Sequence, residues 1–172
     1  AVAYDSCTGA MEMALRALGV GRGDEVITTP YTYSATAEVI RNVGAKIVFA
    51  DIDPETINMD PADVERKITP KTKMIVPVHL GGYPVDMDPI MELAAKHDIT
   101  VLEDAAHAFG AVYKGRKIGN IGHFTAFSLH EVKNCTSFGE GGIVTIMWHT
   151  GCDFYGEWTD ALADEIADWD AT

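Results

Sequence analysis

Residues 74–107 read MIVPVHLGGYPVDMDPIMELAAKHDITVLEDAAH, and the fold class turns on this stretch. Met74-Ile75-Val76-Pro77-Val78 is apolar without alternation, the pattern of a strand covered on both faces. Pro89 to His97 carries apolar residues at helical spacing. Ile99-Thr100-Val101-Leu102 is a second buried strand, and it runs straight into the polar sequence Glu103-Asp104-Ala105-Ala106-His107. Strand, helix, strand with both strands apolar throughout is the signature of a parallel sheet with helices on its faces.

The same alternation extends in both directions. Upstream, Thr8 to Leu18 places Met11, Ala14, Leu15 and Leu18 at helical spacing. Asp24 to Thr29 is a short strand stopped by Pro30, and Ser34 to Val43 is helical. Lys46 to Ala50 is a strand, and Asp60-Pro61 opens a helix to about Ile68, with Asp60 as N-cap and Pro61 as its first residue. Downstream come shorter strand-like pieces at Ala111–Tyr113, Phe124–Ser128 and Ile143–Met147, separated by glycine-rich turns. The expected architecture is α/β, a mainly parallel sheet sandwiched by helices, over residues 1–146.

Composition narrows the function. With 172 residues and 47% hydrophobic content the chain can bury a real core. Its net charge of −13 argues against a surface that grips nucleic-acid phosphates. No apolar run approaches the ~18 residues of a membrane span. The start lacks the basic and apolar regions of a signal peptide. Cys7, Cys135 and Cys152 show no CxxC spacing, so neither a disulfide framework nor a zinc site is expected, and a cytoplasmic setting is. The histidines show no HxH or HExxH spacing, so no metal site is expected. Residues 147–172 differ from the rest: seven acids (Asp153, Glu157, Asp160, Asp164, Glu165, Asp168, Asp170), no Lys or Arg, and all three tryptophans. This acidic tail, with weak helical spacing from Ala161 to Trp169, and an opening Ala1-Val2-Ala3-Tyr4 that reads as the end of a buried strand, lead us to expect a fragment.

Ligands of open α/β sheets bind beyond the carboxyl ends of the strands, and four features fall there. Asp5-Ser6-Cys7-Thr8-Gly9-Ala10 is a strand-to-helix turn, either a plain N-cap or a phosphate site at a helix N-terminus. Glu103-Asp104-…-His107 is either a solvated strand end or a partly dry carboxylate that holds a cationic nitrogen, with an imidazole beside it. Lys133 follows the apolar strand ending at Ser128 and precedes Gly139-Glu140-Gly141-Gly142. It is either a surface charge or an amine in a dry pocket suited to imine chemistry. Tyr33 heads a helix, where it either packs in the core or stacks on a flat ring. Cys135, two residues past Lys133, is either a redox-sensitive thiol or, the commoner case, a buried structural one.

In order along the chain, Ser6-Cys7-Thr8, Gly23 to Ile27, Asp51-Ile52-Asp53-Pro54, Ile68 to Lys73, Val76-Pro77-Val78-His79, Glu103 to His107, and Phe127-Ser128 through Lys133-Asn134 to Gly142 resemble the DegT/DnrJ/EryC1/StrS family. These are the pyridoxal-phosphate-dependent sugar aminotransferases of fold type I, and the resemblance covers residues 1–146. It implies the cofactor pyridoxal 5'-phosphate (PLP), joined to Lys133 as an aldimine, with Lys133 then moving the proton between substrate and cofactor. Asp104 would pair with the ring nitrogen and His107 with the ring hydroxyl. Thr8, the backbone N–H of Cys7 and Ser128 would hold the phosphate, and Tyr33 would stack on the ring. The implied substrates are a nucleotide-linked keto sugar and glutamate or glutamine as amino donor, and the full-length enzyme would be a homodimer.

Three departures stand beside the resemblance. The family commonly has glycine where Cys7 stands, so the added Cβ bears on how closely the backbone can approach a phosphate. Members are longer at both ends, and Met147 onward does not follow their pattern. The alternatives are therefore a non-catalytic remnant that binds PLP or a partner without turnover, and a PLP-dependent sugar dehydratase or lyase. The family's dehydratases carry histidine in place of the lysine, so Lys133 favours transamination.

Overall fold

The computed structural model describes residues 1–147. The tail from residue 148, with Cys152 and the helical spacing at 161–169, lies outside the described residues.

Each strand of the sheet's centre alternates its side chains between two apolar layers. Val26, Met74 and Leu102 face one layer, and their neighbours Ile27, Ile75 and Val101 face the other. All six are fully buried, which is why these strands read as unbroken apolar runs. The first layer is closed by helices α1 (Cys7–Ala17) and α2 (Ser34–Asn42), through Met11, Leu15, Val39 and Ile40. The second is closed by α3 (Pro61–Lys67) and α4 (Met87–His97), through Val64, Ile90, Leu93 and Ala94. Asp60 caps α3 as expected, accepting from the Ala62 N–H at 2.9 Å.

Strands β1 (Val2–Tyr4), β2 (Glu25–Thr28), β3 (Lys46–Phe49), β4 (Thr72–Ile75), β5 (Thr100–Asp104), β8 (Phe124–Ser128) and β9 (Gly142–Ile146) form one seven-stranded sheet. Its order is β1-β9-β8-β5-β4-β2-β3. The β3-β2-β4-β5-β8 run is parallel, and β9 alone runs antiparallel between β8 and β1. The largely parallel α/β sheet with helices on both faces is therefore present.

Three details differ from the sequence expectation. The strand expected over Met74–Val78 is β4, which ends at Ile75. Pro77 has no N–H for the ladder. Its carbonyl accepts from the Asp104 N–H at 2.8 Å, and only an isolated bridge joins Val78 to Asp104. The piece at Ala111–Tyr113 contributes β6 (Val112–Tyr113), which pairs with β7 (Arg116–Lys117) in a separate hairpin. Helix α4 starts two residues before Pro89.

Candidate active site

The carboxyl ends of β5 and β8 and the start of α1 converge on a cavity of about 400 Å³. Cys7, Thr8, Tyr33, Asp104, His107, Ser128 and Lys133 all line it. Seven side chains singled out over a span of 127 positions thus share one concavity, of a size that suits a small-molecule ligand.

Asp104 closes β5 and is 5% exposed. The Thr36 Oγ1 hydroxyl donates to its Oδ2 at 2.7 Å, and the Ala106 N–H donates to Oδ1 at 3.1 Å. Among the described residues it forms no ion pair with a lysine, arginine or histidine. A carboxylate removed from water without a cation is costly, and one that lines a cavity is suited to a ligand's protonated nitrogen. The solvated strand end weighed above is excluded.

Glu103 points the other way and is fully buried. Its Oε1 accepts from the Gly122 N–H at 2.8 Å and the Thr125 hydroxyl at 2.6 Å, and its Oε2 lies 2.9 Å from His79 Nε2. His79 Nδ1 accepts from the Val85 N–H at 3.1 Å, so its proton sits on Nε2 and is donated to Glu103. This network ties β5 to the chain segments on either side of it.

Lys133 also lines the cavity, from the loop that follows β8, where its N–H donates to the His130 carbonyl at 2.9 Å. Its Nζ lies 2.7 Å from His107 Nε2. Burial, then the neighbouring Lys133 charge, lowers the His107 pKa below the ordinary imidazole range. The neutral ring accepts a hydrogen bond from the lysine at Nε2. Lys133 is half-buried, so the dry pocket expected for it is a partly open one.

Helix α1 starts at Cys7 and aims its N-terminal turn at the cavity, with Ser6 as N-cap accepting from the Gly9 N–H at 3.0 Å. The first N–H groups of a helix lack intrahelical acceptors and lie at the positive end of its dipole. Ser128, buried at the end of β8, lines the same cavity as this turn. Cys7 is accommodated because its side chain joins the apolar layer with Met11 and Val144. Burial raises the thiol pKa, so Cys7 remains protonated.

Two expectations about side chains are corrected. Tyr33 is 81% exposed, which removes the core-packing reading and leaves its ring at the cavity rim. Cys135 is only half-buried and belongs to neither apolar layer. Sequence reasoning missed Thr36, and it met His79 and Glu103 only as parts of longer blocks. A buried threonine in the first turn of a helix carries no signal of its own. A histidine after an apolar strand and a glutamate before an aspartate were the available hints.

The sequence profile of the DegT/DnrJ/EryC1/StrS aminotransferase family matches residues 1–147. The spore coat polysaccharide biosynthesis protein SpsC of Bacillus subtilis is 54% identical over 145 residues, covering 84% of this chain and 37% of SpsC. GDP-perosamine synthase of Caulobacter vibrioides is 48% identical over 145 residues, covering 84% of this chain and 39% of that protein. The chain thus spans about two-fifths of the length of these curated relatives. Among solved structures, the aminotransferase from Psychrobacter cryohalolentis superposes with a TM-score of 0.86 at 44% identity, over 94% of this chain and 39% of that one. Solved relatives also include a PLP-bound and a PMP-bound form. With the sheet, the cavity and the sequence all in agreement, the chain belongs to the DegT/DnrJ/EryC1/StrS aminotransferase family, whose cofactor is PLP.

Proposed function

We propose that residues 1–146 are the cofactor-binding part of an aminotransferase that passes an amino group from glutamate or glutamine to a nucleotide-linked keto sugar. The observation that carries this reading is the placement of Asp104 and Lys133 on the lining of one cavity, the first buried without a cation and the second hydrogen-bonded to His107. When bound, PLP supplies the electron sink for the transfer. Asp104 would then hold the ring nitrogen and His107 the ring hydroxyl. The phosphate would lie on the first turn of α1, against the Cys7 N–H, Thr8 and Ser128, with Tyr33 over the ring. Lys133 would hold the cofactor covalently through Nζ and carry the proton between substrate and cofactor.

The nucleotide-linked substrate is supported by the name of GDP-perosamine synthase, and a role in polysaccharide assembly by that of SpsC. A homodimer of the full-length enzyme, working in the cytoplasm, completes the proposal, and the free thiols of Cys7 and Cys135 are in keeping with a reducing setting. The test is a half-reaction. The PLP-loaded chain is mixed with glutamate or glutamine, and the cofactor and keto acid are identified by mass spectrometry. Conversion of PLP to its amine form with release of the keto acid, absent in Lys133→Ala, is expected. A loaded chain that converts with neither donor contradicts the proposal.

A further inference from the structure

Asp104 is held by a donor that no motif announces. Thr36 lies in the first turn of α2 and is fully buried. Its Oγ1 is 2.7 Å from Asp104 Oδ2, 2.9 Å from Thr32 Oγ1 and 3.3 Å from the Tyr33 carbonyl. A hydroxyl has one proton to give, and the carboxylate is both the strongest acceptor and the nearest. Thr36 therefore donates to Asp104, and the Thr32 hydroxyl donates to Thr36.

The result is a two-step hydroxyl chain from half-buried Thr32 at the cavity wall, through Thr36, to the carboxylate. Each link polarises the next, so the bond to Asp104 is stronger than an isolated one. The β-branch of threonine restricts χ1, which holds the hydroxyl in place in a way a serine does less firmly. With the Ala106 N–H on Oδ1, both carboxylate oxygens are tethered from the protein side.

We infer that Thr36, backed by Thr32, is a positioning residue that fixes the orientation in which Asp104 meets the cofactor's ring nitrogen. The inference rests on the cofactor site proposed above and adds to it a pair of residues on α2 and the turn before it. Thr36 also lines the cavity, and the role assigned to it here is exerted through its hydrogen bond to Asp104.

The test compares wild type with Thr36→Val, Thr36→Ser, Thr32→Val and Asp104→Asn. PLP itself is the probe, read by its dissociation constant and by the absorption spectrum of the bound cofactor across the neutral pH range. Thr36→Val keeps the shape and removes the donor, and is expected to weaken PLP binding about tenfold and to shift the spectrum in the sense of Asp104→Asn. Thr36→Ser is expected to stay within about twofold of wild type. Thr32→Val, which removes only the outer link, is expected to cost about threefold. A merely structural role for Thr36 would lower thermal stability without moving the spectrum.

Wild-type affinity and spectrum in Thr36→Val, beside a loss in Asp104→Asn, overturn the inference and leave the cofactor site standing. Failure of wild type to bind PLP overturns the cofactor site and this inference with it. If Thr36→Val does not fold, Thr32→Val decides: wild-type affinity and spectrum there overturn the inference.

Discussion

Gly142 opens β9 beneath the first turn of α1, and replacing it with alanine is the sharpest test of how the sheet and the cavity are joined. A Cβ at this position would lie 2.6 Å from the Cys7 backbone nitrogen and closer still to the Ser6 carbonyl group. Ordinary contact begins near 3.4 Å, so the two backbones would have to part by about 1 Å. Neither side gives easily. Gly142 is paired to Tyr4 on one side and Ser128 on the other, and the helix start is locked by the Ser6 cap. Overpacking of this kind costs about 2–3 kcal/mol. At ~2–4 °C per kcal/mol for a chain of this size, Gly142→Ala should melt about 5–10 °C lower. Gly139→Ala is the control, because a Cβ there meets nothing within 4 Å, and it should stay within about 0.5 kcal/mol of wild type. Thermal and urea unfolding of both variants give the answer. A Gly142→Ala protein as stable as Gly139→Ala would refute the close approach of β9 to α1, and with it the placement of that turn over the cavity.

Two further outcomes follow from buried or tethered charge. Asp63 accepts from the Asp51 N–H at 2.6 Å, then from Lys67 and Arg66, and these partners hold its pKa down to about 2 from 3.8. Because the folded protein binds this proton less readily than the unfolded chain, the stabilisation is present above pH 3.8 and is lost as pH falls toward 2. Asp63→Asn should therefore lower the urea midpoint at neutral pH, with the gap to wild type closing below about pH 4, whereas a gap that persists to pH 2 would contradict the tether. His79→Ala removes one of three donors from the fully buried Glu103 and leaves a void. A loss of about 2–4 kcal/mol by urea unfolding is expected, and a loss under about 1 kcal/mol would show that the network is not holding β5.

The parallel sheet was legible because its central strands bury both faces. Val101 and Leu102 go to opposite layers and both had to be apolar. The site was legible where chemistry sits at strand ends, as with Asp104 closing β5 and Ser128 closing β8. What escaped was set by tertiary packing. Pro77 ends the β4 ladder although its neighbours read as strand, because a missing N–H outweighs apolar pattern. For Tyr33 core packing and ring stacking both stood open until its exposure was seen, since aromatic character does not say which way a helix head points. Thr36 was invisible because its partner lies 68 positions away, on a different element.

The most direct measurement is reductive trapping. The chain is mixed with PLP, treated with borohydride and mapped by mass spectrometry beside Lys133→Ala. The cofactor's mass is expected on Lys133 in wild type, with no trapped cofactor in the variant. Labelling spread over the surface lysines, equal in wild type and Lys133→Ala, would contradict the claim that this cavity holds PLP through Lys133.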